Sequence, residues 1–206
     1  MTNRKLLLLC VLMFSPILSW DVEAKAPNKH IMTWDAFAKN VLALHRKLIN
    51  RVPVVKKTKL GGYAHLPNFY IEDSYFDAKT HKLISVVQWE KAHPKVMHTI
   101  EVYLYDDQGR VTRDFTAAYL PDYHSAPTQT LISLHTYHGD LHAFRTFDAS
   151  GYTIDEGCRG QYQGKDVEII MDEDEIADGA PEMETPAYKA CFEGLQKKAG
   201  KYLIPQ

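Results

Sequence analysis

The residues best suited to chemistry lie in one short run: Leu134-His135-Thr136-Tyr137-His138-Gly139-Asp140-Leu141-His142-Ala143-Phe144. With Gly139-Asp140 as a two-residue turn, Tyr137 faces His142 and His135 faces Phe144 across a hairpin. Side chains alternate along a strand, so His135, Tyr137, His142 and Phe144 share one face. Two imidazoles on one face are the start of a metal site. Zinc or copper would suit them, with a third ligand from elsewhere. His124, in the loop Tyr119-Leu120-Pro121-Asp122-Tyr123-His124, is the candidate for that third position. The alternative is a half-buried sheet face decorated with Tyr and His, which a shift of one residue in register would scatter.

The chain holds ten histidines, so other positions compete. His45 falls in the middle of an apolar helical stripe. It reads either as a core histidine with a partner in the sheet or as a group lining an internal cavity. Tyr103, in an aromatic-rich strand, joins Tyr137, Phe144 and His45 as a candidate ligand-binding residue, since a curled sheet lined with aromatics can hold an apolar or aromatic ligand. The acidic run Asp172-Glu173-Asp174-Glu175 lacks the glycine and closing glutamate of a calcium loop, and it reads as a solvated loop. No G-x-S-x-G elbow and no phosphate-binding glycine loop occurs.

Elements must hold these residues in place. Thr33 reads as an N-cap. Trp34, Phe37, Ala38, Val41, Leu42, His45, Leu48 and Ile49 then follow a helical period, and Pro53 stops it. From residue 54 to about 171 the pattern alternates, over nine candidate strands rich in Val, Ile, Thr, Tyr and Phe. Asp77-Ala78, Asp106-Asp107-Gln108-Gly109 and Asp148-Ala149-Ser150-Gly151 mark hairpin turns. Thr185 and Pro186 open a last helix that Gly200 would close. The fold class is therefore α+β: an N-terminal amphipathic helix, a long antiparallel meander forming a curled sheet, and a C-terminal helix. This order resembles small exported carrier folds such as the lipoprotein-carrier half-barrel or the cystatin-like cone. The resemblance is one of architecture and transfers no residue.

The first 24 residues set the compartment. Arg4 and Lys5 precede an apolar stretch, Leu6–Leu18, and Val22-Glu23-Ala24 ends in small residues. This is the pattern of a secretory signal peptide cleaved near Ala24, leaving a single domain over 25–206. The protein is expected in a periplasm or outside the cell. Cys10 would leave with the leader. Cys158 and Cys191 would then pair in an oxidising compartment, pinning the last helix to the sheet. A net charge of −2 speaks against nucleic acid as a partner, and no later stretch is apolar enough to span a bilayer.

Together these features point to a non-enzymatic exported binding or accessory protein that uses its aromatic-rich sheet. Its partner would be a small molecule or another exported protein. A His-ligated metal protein or metalloenzyme is the alternative, and a hydrolase with converging carboxylates is a weaker one.

Overall fold

The computed structural model describes residues 29–121 and 123–206. The expected leader and its cleavage site lie outside them. Helix α1 runs Lys29–Ile49 and buries Phe37, Ala38, Val41, Leu44 and His45 along one side. Each large apolar side chain buried there contributes roughly 1.5–3 kcal/mol. The helix begins one turn before the expected cap. Thr33 is inside it, its hydroxyl donating to the Lys29 carbonyl at 3.0 Å rather than capping the end.

Nine strands follow: β1 Val54–Tyr63, β2 Leu66–Asp77, β3 Leu83–Glu90, β4 Met97–Tyr105, β5 Val111–Ala118, β6 Gln129–His138, β7 Leu141–Phe147, β8 Thr153–Tyr162 and β9 Lys165–Asp172. They form one antiparallel sheet in sequence order, with β1 and β9 at its two edges, so among the described residues it does not close into a barrel. The hairpin turns work as the sequence implies. Asp106 Oδ1 accepts from the Arg110 amide at 2.8 Å, and Gly109 takes the left-handed conformation at φ 82°. The Asp77 turn lacks glycine, so His81 adopts φ 59° in its place, a conformation most side chains avoid.

Alternation sorts the strands into two faces. Val87, Ile100, Val102, Phe115, Ala117, Ile132, Leu134 and Phe147 pack with α1 in one buried cluster. Leu141, Ala143, Cys158 and Met171 pack with Tyr188, Cys191 and Phe192 of the C-terminal segment in a second. Leu195 touches both clusters. Leu134, Ala143 and Phe147 have the same strand parity across the β6–β7 pairing, so the helical elements occupy the same face.

The C-terminal region departs from expectation in two places. The acidic run is not a loop: Asp172 caps a short helix, α2 (Glu173–Asp178), and Glu175 returns the bond in a capping box. The last helix, α3, spans only Pro186–Cys191 and does not continue to Gly200. Gly194 turns left-handed at φ 73°. The buried Arg145 guanidinium then takes the Gln196 carbonyl at 2.7 Å, an acceptor a continuing helix would need for itself. A disulfide joins Cys158 on β8 to Cys191 at the end of α3, with sulfurs 2.01 Å apart.

On the opposite face Phe144 lies over Gly157, its cross-strand partner. A Cβ on Gly157 would sit 2.4 Å from the Phe144 ring, so Gly157→Ala forces the ring aside. We expect it to cost about 1–2 kcal/mol, within the range of overpacking. In a double-mutant cycle with Phe144→Ala by urea unfolding, most of that cost should disappear. Simple additivity would show that the ring does not cover this glycine.

Candidate functional site

The β6–β7 hairpin has the expected register. His135 pairs with Phe144 and Tyr137 with His142, around Gly139 at φ 58°. His135 Nδ1 lies 3.0 Å from His142 Nε2, and the ring centroids are 5.2 Å apart at an interplanar angle of 18°. The rings are therefore nearly coplanar, and the two nitrogens face each other along a single hydrogen bond. Asp114 on β5 adds a third member, its carboxylate accepting from His135 Nε2 at 2.7 Å. A neutral imidazole has one donor and one acceptor. With His135 donating to Asp114, its Nδ1 accepts, and His142 Nε2 donates to it. The result is a relay from His142 through His135 to Asp114.

Flat groups extend this relay along the sheet. Tyr137 stacks on His142 at 4.5 Å and 6°, and the Arg110 guanidinium lies 4.6 Å over the Tyr137 ring. Arg110 is itself anchored to Asp106 at 2.8 Å, and the Tyr137 hydroxyl donates to the Val111 carbonyl at 3.0 Å. Burial, the neighbouring His135 and Arg159 all lower the His142 pKa from its ordinary value. Burial chiefly raises the Tyr137 hydroxyl.

The hairpin pattern alone does not point to Asp114. Its signal was a carboxylate in the middle of a central strand, one diagonal step from His135 on the same face. It pairs directly with Ser133.

His124 does not join this cluster. Its Nε2 is 3.4 Å from Glu90 Oε1, at the end of β3. The neighbouring start of β4 pairs with the end of β5, whereas His135 lies beyond Leu134, which pairs with Arg113 near the start of β5. The two places are at opposite ends of the strands. The long loop carrying His124 follows β5, so it cannot reach the β6–β7 turn. Among the described residues no three His, Cys, Asp or Glu side chains converge on a metal position.

Of the other candidates, Tyr103 pairs across the strands with Asp114 and Phe144 with His135, so both border the relay, and only His45 separates. Phe144 shares the relay's face, covering Gly157. His45 lies on the sheet-facing side of α1, its Nδ1 2.8 Å from Ser85 Oγ, with Tyr75 edge-on at 4.8 Å. Tyr103 donates to Glu101, and burial followed by that bond raises its pKa. It lines a cavity of about 340 Å³ with Leu48, Val52 and Ile84 near the end of α1.

No protein-family model matches the chain. No curated protein matches it either. A crystal structure of a DUF3836 family protein from Bacteroides vulgatus aligns with 50% of this chain and 99% of its own, at 11% identity and a TM-score of 0.30. At that score the likeness carries no argument about fold or function.

A second polar cluster surrounds His124. Glu90 and His98 are each only 1% exposed. Among the described residues neither Glu90 oxygen nor His98 Nδ1 has a hydrogen-bond partner, while His98 Nε2 meets the Tyr63 hydroxyl at 2.5 Å. Burial lowers the His98 pKa, against the opposing pull of Glu90. The aromatic rings of Tyr63, Phe69 and Tyr70 surround His98, which accounts for its low exposure. This cluster was not singled out in the sequence, where Glu90 and His98 read as ordinary strand-end residues.

Proposed function

We propose that this chain is a non-enzymatic binding or accessory protein of an exported compartment, and that the face of its sheet carrying none of the described helices is the recognition surface. One observation carries the reading. Arg110, Tyr137, His142, His135 and Asp114 form an unbroken row of planar and charged groups, each held by its neighbour. Side chains fixed in advance lose little freedom on binding. The row lies half-buried on a sheet face that none of the described helices covers, which suits recognition better than chemistry that must exclude water. The Cys158–Cys191 disulfide supports an oxidising compartment. No helix of the described residues is long and apolar enough to cross a membrane.

A second reading, a zinc or copper site on His135 and His142, is favoured by Asp114. A carboxylate behind a ligating histidine is the usual outer partner in metal sites. A metal in line between the two nitrogens would take the place of their shared proton. It would have to spread them from 3.0 Å to about 4 Å, given Zn–N bonds of about 2.0–2.1 Å.

Native mass spectrometry of protein exported into a periplasm and purified without chelator or histidine tag separates the two. An organic adduct that Tyr137→Ala removes supports the binding surface. A stoichiometric zinc or copper adduct that His142→Ala removes supports the metal site. A bare mass from wild type argues against a tightly held ligand of either kind on this face.

A further inference from the structure

The helix-bearing face carries a half-open site of different chemistry. A cavity of about 500 Å³ opens between β7, β8 and the α2–α3 segment, within the size range of roughly 300–1,000 Å³ typical of small-molecule sites. Its apolar walls include Ile176, Met183, Phe192 and Leu195, and its polar lining includes Arg145, Glu156 and Tyr188.

Arg145 is 4% exposed and Glu156 2%, so the charges at this lining are set in the protein and not on its surface. Arg145 Nε donates to Glu156 Oε1. Its Nη1 donates to the Gln196 carbonyl at 2.7 Å and reaches the Leu195 carbonyl at 3.4 Å. The Tyr188 hydroxyl, within the same network, donates to Glu156 Oε2 at 2.6 Å and also interacts with Arg145. A guanidinium has five N–H donors, and these four acceptors leave at least one unused among the described residues. Glu156 has both oxygens engaged and offers an incoming ligand nothing. At the wall Lys189 is paired with Glu184 at 2.9 Å, whereas Lys197 has no ion-pair partner among the described residues.

We propose that this cavity binds a small monocarboxylate with an apolar body, its carboxylate on Arg145 and Lys197 and its body against Met183, Ile176 and Phe192. A carboxylate suits the spare guanidinium donor, and Lys197 supplies the charge that Glu156 cancels on Arg145. The site lies on the face opposite the relay and stands independently of the function proposed above.

The test uses the full exported chain with its disulfide intact and follows the methyl groups of Met183 and Ile176 by ¹³C NMR. Sodium octanoate and 1-octanol are titrated separately. Octanoate should shift both methyls and bind at least tenfold more tightly than octanol. Lys197→Gln, a surface change, should weaken octanoate several-fold and leave octanol unaffected. Met183→Trp, which fills the cavity, should abolish both while circular dichroism stays unchanged. Arg145 is left in place, because removing it would strand Glu156 as an uncompensated buried charge. Equal affinity for the acid and the alcohol would overturn the carboxylate recognition. No shift at Met183 and Ile176, or shifts confined to Ile84 in the other cavity, would overturn the site. Octanoate binding that survives Tyr137→Ala but not Met183→Trp would keep this site while leaving the relay face to be judged on its own test.

Discussion

Reduction of the Cys158–Cys191 disulfide should cost about 3–4 kcal/mol of stability, the cost expected on the chain-entropy account for a loop of this length. The two cysteines are separated by 33 residues, and the closed loop holds β9, α2 and α3. For a chain of this size each kcal/mol moves the melting temperature by about 2–4 °C, so a fall of about 10 °C is expected. Thermal unfolding of the oxidised protein, the protein in reductant, and Cys158→Ala/Cys191→Ala should show the drop twice. The structure adds a local consequence. Helix α3 has six residues, far too few to be helical alone in water. It is held by Cys191, by Tyr188 donating to Glu156, and by Phe192 under the Arg145 guanidinium at 5.4 Å. Hydrogen exchange should therefore accelerate first in 173–200 when the bond is cut. An unchanged melting temperature would mean that these other contacts already restrain the segment as tightly as the covalent link does.

The parts of the fold that were legible in the sequence were those set by local periodicity and turn chemistry. The α1 stripe, the nine alternating runs and the Asp turns all depend on neighbours within a few residues, and the meander follows because each strand pairs with the next. The hairpin register around Gly139-Asp140 was legible for the same reason. Helix length was not. α3 stops at Cys191, just before Gly194 turns left-handed at φ 73°, and the Gln196 carbonyl beyond it goes to Arg145 on a strand many residues earlier, a partner that no local signal reports. The site divides along the same line. His135, Tyr137 and His142 are neighbours within one hairpin. Asp114 comes from another strand, and His124 was assigned by residue type alone. His124 lies against Glu90, beside the buried His98. That is a long-range arrangement, set by which strand ends the loop after β5 spans.

Acidification should weaken the fold through His45, and this is the second large effect. The His45 side chain is 4% exposed. Burial first, and then the adjacent Arg46, lower its pKa to about 4, against a smaller opposing pull from Asp73. Its imidazole meets Ser85 on one side and the Tyr75 ring on the other, and neither offers a counter-charge. The unfolded chain protonates this imidazole near the ordinary value of about 6.5, while the native chain resists until about pH 4. The native state thus binds fewer protons between those limits. Its stability is complete above about pH 6.5 and falls as pH drops toward 4, with no further loss from this group below that. At about 1.4 kcal/mol per unit of pKa difference, the full loss is about 3–4 kcal/mol, of which about 2 kcal/mol falls between pH 7 and pH 5. His98 and His142, whose pKa values are also lowered chiefly by burial, add in the same direction. Asp155, raised by burial, opposes them. Urea unfolding of wild type and His45→Gln at pH 7 and pH 5 isolates the term. The variant removes the titrating group and keeps a polar partner for Ser85, so its stability should fall by about 2 kcal/mol less than that of wild type over this interval. Parallel losses would show that His45 is already able to carry its proton in the native state, with water or a carboxylate such as Asp73 reaching it beneath α1.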